Sequence, residues 1–285
     1  MLKKRLIGGI VVKNNIAVQS IGFHRYLPLG DPAIFAENFN RWGVDEILLI
    51  DISAAKYGKG PNIDLVRRVA CKCFVPLTIG GGIRNVEDVY SVIAAGGDKI
   101  AINTAAYADP TLLRKISDRF GRQSVVASID VDLGDNGQYL VRASRACGTK
   151  DVMALARLFE AEGAGELLIT SVSHDGSKIG FDINLLKLVD QVTNTPIIVM
   201  GGAGCPRHLK EAFEIPSVSG AAAANFFAFR EHSVIISKGY LKKNGILLRI
   251  DTNADYSSNE FSFDGWPLNK ADSISSAELI SAKDS

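Results

Sequence analysis

Hydrophobic residues along this chain come in short, nearly continuous runs. Longer stretches separate them, in which apolar and polar positions alternate with helical spacing. The runs are LIGGIVV (6–12), EILLID (46–51), VPLTIG (75–80), KIAIN (99–103), VVASID (125–130), ELLIT (166–170), PIIVM (196–200) and GAAAAN (220–225). They are rich in Val and Ile, which suits buried strands. The intervening stretches predict helices over 31–43, 63–73, 85–97, 109–121, 150–163, 182–192, 205–213 and 231–245. The first begins Asp31-Pro32, an N-cap followed by proline at the first helical position. Continuous apolar strands joined by helices predict a parallel sheet buried on both faces. Eight such units in strict alternation over residues 1–250 predict an α/β chain folded as a (β/α)₈ barrel. A doubly wound open sheet is the alternative.

The pattern also repeats. GVDEILLID (43–51) matches GAGELLITS (163–171), and PLTIGGG (76–82) matches PIIVMGG (196–202), both at an offset of 120. GIVVKN (9–14) then falls on IDVDLG (129–134) at an offset of 119 or 120. A period of half a domain is too long for a solenoid. It predicts two four-unit half-barrels, with the first and fifth strands opening on opposite sides of the mouth.

Barrel enzymes place their chemistry at that mouth, where the carboxyl ends of the strands lie. Two glycine-rich turns, GGG (80–82) and GGAG (201–204), each follow a strand and precede a helix. Such turns let backbone N–H groups approach an oxyanion. Occurring in both halves, they suggest a ligand with two phosphates, one gripped on each side. Gly81 and Gly82 would work with Asn103 and Thr104 on one side. Gly202 and Ala203 would work with Ala224 and Asn225 on the other, with Asp175, Gly176 and Ser177 of HDGSKIG (174–180) nearby. The alternative is that the glycines serve the fold alone. Asp130 ends an apolar run and is the candidate general acid or base; the plainer alternative is a loop cap. Asp51 and Asp175 either orient a substrate or brace loops. At the opposite ends of their strands, Arg5, Glu46, Lys99 and Glu166 could form a ring of alternating charge closing or gating the floor.

Composition narrows the function classes. The formal net charge is +1, so nothing points to nucleic acid or an anionic membrane surface. Cys71 and Cys73 are spaced C-x-C, not C-x-x-C, and Cys147 and Cys205 stand apart. No metal site or cofactor is expected, and the thiols suit a cytoplasmic protein. The opening MLKKRLIGGIVVKNN has an apolar run too short to span a membrane and no clear cleavage site.

With these residues in place, the chain resembles the HisF family, the cyclase subunit of imidazole glycerol phosphate synthase, over residues 1–250. The motifs are GDP (30–32), GVDEILLIDIS (43–53), PLTIGGGIR (76–84), DKIAINTAA (98–106), ASID (127–130), GAGELLITS (163–171), HDGSKIGFD (174–182), GGAG (201–204) and FREHSV (229–234). The resemblance implies a histidine-biosynthesis lyase that pairs with the glutaminase subunit HisH. Ammonia from glutamine would pass along the barrel axis to a bisphosphorylated substrate, and Arg5, Glu46, Lys99 and Glu166 match the gate. It also implies two aspartates as acid and base, ending the first and fifth strands. Asp130 matches the second; the first falls on Val11. A loop lysine of the family falls on Gln19, a cysteine on Gly9, a seventh-strand serine on Met200 and an eighth-strand serine on Asn225. Valine cannot transfer a proton.

Three readings therefore stay open: an ammonia-delivering subunit turned to amidation of an acetamido sugar in surface-polysaccharide (O-antigen) synthesis, with a third protein as acceptor; a histidine-pathway cyclase; and a non-catalytic activator of a glutaminase. An ionisable side chain beside Val11 would count against the first. Residues 251–285 are polar and expected to be a flexible tail, unless FSFDGWP (261–267) docks on the barrel or on a partner.

Overall fold

In this computed structural model the described residues are 3–56, 58, 60–142, 151–230, 232–250 and 254–268. The strands are β1 (Arg5–Lys13), β2 (Ile16–Ile21), β3 (Arg25–Gly30), β4 (Glu46–Asp51), β5 (Leu77–Gly80), β6 (Lys99–Ile102), β7 (Val125–Leu133), β8 (Tyr139–Val141), β9 (Glu166–Ser171), β10 (Ile197–Met200) and β11 (Val218–Ala223). The helices are α1 (Pro32–Arg41), α2 (Ile52–Lys56), α3 (Ile63–Ala70), α4 (Val86–Ala94), α5 (Thr104–Ala108), α6 (Thr111–Phe120), α7 (Val152–Ala161), α8 (Ile183–Asp190), α9 (Pro206–Phe213), α10 (Asn225–Ala228) and α11 (Ser233–Lys243).

β1, β4, β5, β6, β7, β9, β10 and β11 pair in parallel in that order, and β11 returns to β1. At the closing seam Arg5 lies opposite Gly220, and Gly8 opposite Ala223. The sheet is thus a closed (β/α)₈ barrel. The open-sheet alternative fails because the β11–β1 ladder leaves no free edge among these eight strands.

Side chains alternate across each strand with a period of two. Ile7, Leu48, Val126, Leu168, Ile198 and Ala222 point inward and fill the barrel. Their neighbours Leu6, Ile47, Leu49, Leu167, Ile197 and Val199 point outward and pack with the helices. This double burial is why the strand runs are apolar without interruption. Phe39 of α1 is fully buried in the outer layer. Truncating such a residue to alanine costs about 3–5 kcal/mol.

Helix starts follow the expected capping chemistry. The carboxylate of Asp31 accepts from the Ala33 amide, with Pro32 next. Asn85 caps α4 by accepting from the Asp88 amide, and Asp151 caps α7 by accepting from Met153. Lys150, where the sequence pattern began that helix, lies outside the described residues.

Three features depart from the sequence expectation. First, the loop after β1 is a β-hairpin. β1 turns into β2 through Asn14 and Asn15, both at positive φ, and Val12 pairs antiparallel with Ala17. β2 then turns into β3 through Gly22 and Phe23, at φ of 59° and 58°. The first is a two-residue turn with positive φ at both positions, which matches the right-handed twist of a hairpin; the second spans three residues, 22–24, between the paired Ile21 and Arg25. Second, β7 runs past Asp130 to Leu133 and pairs antiparallel with β8. Third, the segment Ala254–Leu268, beyond the expected barrel end, packs on the barrel instead of trailing from it. Phe261 stacks edge-on against Tyr240 of α11 at 5.4 Å, and Trp266 against Phe226 of α10 at 5.9 Å. The Arg230 guanidinium lies 3.5 Å over the Trp266 ring. Residues 251–253 and 269–285 lie outside the described residues.

Candidate active site at the barrel mouth

The eight parallel strands bring two sets of polar side chains to opposite ends of one axis. At the floor Arg5, Glu46, Lys99 and Glu166 meet. Arg5 bonds Glu46 at 2.8 Å and also bonds Glu166; Lys99 bonds Glu46 at 3.0 Å and Glu166 at 2.7 Å. Thr78 donates to Glu46 at 2.6 Å, and Ser219 accepts from Arg5 at 3.0 Å. Signs alternate around the ring, so each charge has two opposite neighbours. Burial pushes the Glu166 carboxyl up, but Arg5 and Lys99 more than offset it and hold it below the usual carboxylate range. Burial likewise works against the Arg5 cation, and the two glutamates overcome it. Buried charges persist only when paired in this way.

At the mouth a cavity of about 640 Å³ opens. Asp130 sits on its wall, half-buried. Desolvation pushes its carboxyl up to about 7, against the opposing pull of the Asn103 hydrogen bond and of the Arg142 cation. Asn103 Nδ2 donates to Asp130 at 3.1 Å and to the Ser128 carbonyl at 3.2 Å. The Tyr107 hydroxyl accepts from the Asp130 amide at 3.2 Å. A carboxyl titrating near neutrality, held in place and open to a cavity, can both give and take a proton.

Across the barrel Val11 faces the same cavity from β1. It packs with Val18, Ala101, Met200 and Tyr26 in an apolar layer. Tyr26 is an ionisable side chain packed against this layer, with the Lys13 ammonium 4.3 Å over its ring, and it does not replace a carboxylate. Its hydroxyl donates to the Phe23 carbonyl at 2.9 Å, and burial, with Asp175 and Asp130 nearby, raises its pKa above the ordinary phenol value. A neutral phenol engaged in a turn cannot serve as a base near neutral pH.

The other sequence candidates separate largely by half, although Asp175 of the second half also lines the cavity. Gly81, Gly82, Asn103 and Thr104 all line the cavity. Gly202, Ala203, Ala224 and Asn225 do not belong to its lining, nor do Gly176 and Ser177. The glycines have fold reasons of their own: at Gly81 and Gly202, with φ of 107° and 110°, a Cβ would overlap the carbonyls of Asp51 and Gly180 respectively. Asp51 accepts from the Ser53 amide at 2.8 Å and so braces the start of α2. Asp175 accepts from Ser20 at 2.6 Å and braces the β2–β3 hairpin.

Sequence reasoning missed Ser20, Phe23, Tyr26 and Arg142, all of which line the cavity. The first three arrive on the hairpin. Asn14-Asn15 followed by the alternation IAVQSI was the readable signal, but Phe23 at positive φ conceals the second turn. Arg142 arrives on the extension of β7 and β8, where its amide donates to the Asp130 carbonyl at 2.7 Å.

Among the described residues no cluster of three or more His, Cys, Asp or Glu could hold a metal ion. No described helix is long and apolar enough to cross a membrane. Cys71, Cys73 and Cys205 are free thiols, respectively exposed, half-buried and buried; Cys147 lies outside the described residues.

Comparison with known proteins agrees with this architecture. A family model described as histidine biosynthesis protein matches residues 5–233. A Vibrio vulnificus (strain YJ016) protein provisionally named imidazole glycerol phosphate synthase subunit hisF2 is 39% identical over 269 residues, covering 94% of this chain and 98% of that protein. Imidazole glycerol phosphate synthase subunit HisF of Clostridium botulinum (strain Langeland) is 40% identical over 253 residues, covering 88% of this chain and all of that protein. The protein of the same name from Streptococcus mutans is 38% identical over 251 residues, again along its whole length.

Proposed function

We infer the function from one premise: the chain belongs to the histidine biosynthesis protein family, in its HisF branch. We propose that it is an imidazole glycerol phosphate synthase-type subunit that receives ammonia from a HisH-like glutaminase at its floor and delivers it to the mouth. We propose further that its acceptor is no longer the histidine-pathway substrate. The ammonia instead serves amidation of an acetamido sugar for a surface polysaccharide, on a third protein.

The observation that carries this reading is the contrast along the axis. The floor ring keeps both cations and both carboxylates, each paired. The mouth keeps Asp130 but opposes it with Val11 in an apolar layer. Losing one of two positioned proton-transfer groups lowers a rate by about 10²–10⁴-fold. The apolar residues between floor and mouth suit a small neutral nucleophile.

A second reading, the histidine-pathway cyclase itself, draws on the cavity and on a carboxyl at about 7, able to act as acid and base in turn. Two measurements separate the readings. The purified chain is assayed with ammonium salts and the histidine-pathway substrate; turnover close to that of an ordinary HisF ends the altered-acceptor reading. Glutamine hydrolysis by a HisH-like partner is measured with and without the chain. Stimulation is expected, and its absence removes ammonia delivery altogether.

A further inference from the structure

Asp130 is held from behind as well as from the cavity. Tyr107, one helical turn after Asn103 in α5, is 4% exposed and forms no part of the cavity lining. Its ring stacks on Phe159 of α7, with centroids 6.0 Å apart and planes inclined by 15°. Its hydroxyl oxygen accepts from the Asp130 amide and from Asn103 Nδ2, each at 3.2 Å. β6 pairs with β7 no further than Ile102 opposite Ala127. The Asp130 amide lies beyond that ladder, and the phenol oxygen supplies the acceptor that a longer strand would have given.

Asn103 links the phenol to the carboxylate. Its Nδ2 carries two hydrogens. Three oxygens surround it: Asp130 Oδ2 at 3.1 Å, the Ser128 carbonyl at 3.2 Å and the Tyr107 hydroxyl at 3.2 Å. Two hydrogens cannot serve three acceptors in full, so the phenol takes a share that the carboxylate would otherwise receive. The half-barrel repeat shows that the fold does not require this arrangement. Ala224 stands before α10 as Asn103 stands before α5, and Ala228 stands where Tyr107 does. The helical turn is the same in both: the Tyr107 amide donates to the Asn103 carbonyl at 3.2 Å, and the Ala228 amide to the Ala224 carbonyl at 3.0 Å. The counterpart of Asp130 is Val11. Carboxyl, amide and phenol thus occur together in one half and are replaced together by apolar residues in the other.

We propose that Tyr107 is a positioning residue for Asp130: its hydroxyl fixes the Asp130 backbone from behind the cavity wall and limits the share of the Asn103 hydrogen bond that reaches the carboxylate. A carboxylate given less of that bond keeps its proton to higher pH, which leaves it poised between acid and base. The inference rests on Asp130 being a proton-transfer group of the mouth, as the proposed function has it. The charged groups acting on Asp130 are Arg142 after β8, Asp132 on β7 and Asp175 after β9, and the Tyr26 phenol of β3 lies within its field. Tyr107→Phe changes none of them.

The test is a pH titration of the full chain, labelled with ¹³C at the aspartate carboxyls and followed by NMR. The Asp130 signal is identified by its loss in Asp130→Asn. Its midpoint in the parent is expected at about 7. Tyr107→Phe keeps the ring and its stack on Phe159 and removes only the hydroxyl. The midpoint is expected to fall by about half to one pH unit, the worth of one neutral hydrogen bond. A midpoint that stays in place or rises overturns the proposal, because a merely structural role would lower the melting temperature and leave the titration unmoved. Phe159→Leu loosens the same packing with the hydroxyl kept; a fall equal to that of Tyr107→Phe would overturn the hydroxyl as the cause. Hydrogen exchange in the parent needs no variant to fold. The Asp130 amide is expected to be protected, and exchange at the rate of an exposed amide overturns its bond to the phenol. None of these measurements uses ammonia, an acceptor or a glutaminase. Loss of glutaminase stimulation would end ammonia delivery and leave the positioning of Asp130 standing.

Discussion

At the floor of the barrel, two cations and two carboxylates satisfy one another around a closed ring. At the mouth, Asp130 stands across the barrel from Val11, and desolvation pushes its carboxyl up to about 7 despite the Asn103 hydrogen bond and the Arg142 cation. The same strands build both ends, and inward-facing positions alternate in the same register. The difference is chemical. The floor keeps every partner its charges need, so burial is tolerated. At the mouth Asp130 has no carboxylate-pairing ring around it, so burial shifts its proton instead. Burial therefore acts differently on charge at the two ends of one barrel, because the two sets of side chains share a backbone and not an energy.

The strongest way to break this comparison is at the floor. Glu46→Ala leaves Arg5 and Lys99 with a single carboxylate between them and Thr78 without its acceptor. Removing one member of a buried ion network costs about 3–5 kcal/mol. Thermal melting of the variant should fall by roughly 10 °C; a change within a degree or two would show that the ring is solvated and carries little.

The next largest effect is expected at the mouth. Val11→Asp places a carboxylate in the layer formed with Val18, Ala101 and Met200. It should cost about 2 kcal/mol in stability. It should also raise any ammonium-dependent cyclase turnover by about 10²-fold. Turnover that stays flat would mean that the missing acid does not limit the reaction.

A gentler test uses pH. The Asp130 carboxyl is raised in the folded chain from the ordinary 3.8 to about 7. Between those values the folded chain holds a proton that the unfolded chain has released. Stability therefore falls as pH rises through that window and stays at its lowest, as far as this group decides, above pH 7. Asp130→Asn should gain about 1–2 kcal/mol over the parent above pH 7, a figure reduced for its half-exposure, and nothing near pH 4. Parallel melting curves for the two proteins from pH 4 to 8.5 would contradict the raised carboxyl.

The smallest effect belongs to the C-terminal segment. Trp266→Ala removes the stack on Phe226 and the contact with Arg230. It should lower stability by about 1 kcal/mol, read by urea unfolding; no shift in midpoint would leave the docked segment without an energetic role.

Much of the molecule is legible without coordinates. Runs such as ELLIT and PIIVM mark barrel strands because both faces of each strand are buried, and the 120-residue offset marks the half-barrels. Asp31, Asn85 and Asp151 mark helix starts through local hydrogen bonds. The floor ring was legible as well, because its four members share one position at the starts of their strands.

Contacts between distant loops were not. Nothing local to Ser20 says that it will meet Asp175, 155 positions away, or that Asn225 will turn its amide to the Ser20 carbonyl. FSFDGWP could be read as docked or free until Trp266 was seen against Phe226. Sequence by itself determined the barrel, its twofold repeat and the identity of the side chains at each end, because periodicity and capping act within a few residues. Only the tertiary structure decided which of those side chains face an open cavity and which are spent holding a neighbouring loop, because that depends on contacts between segments far apart in the chain.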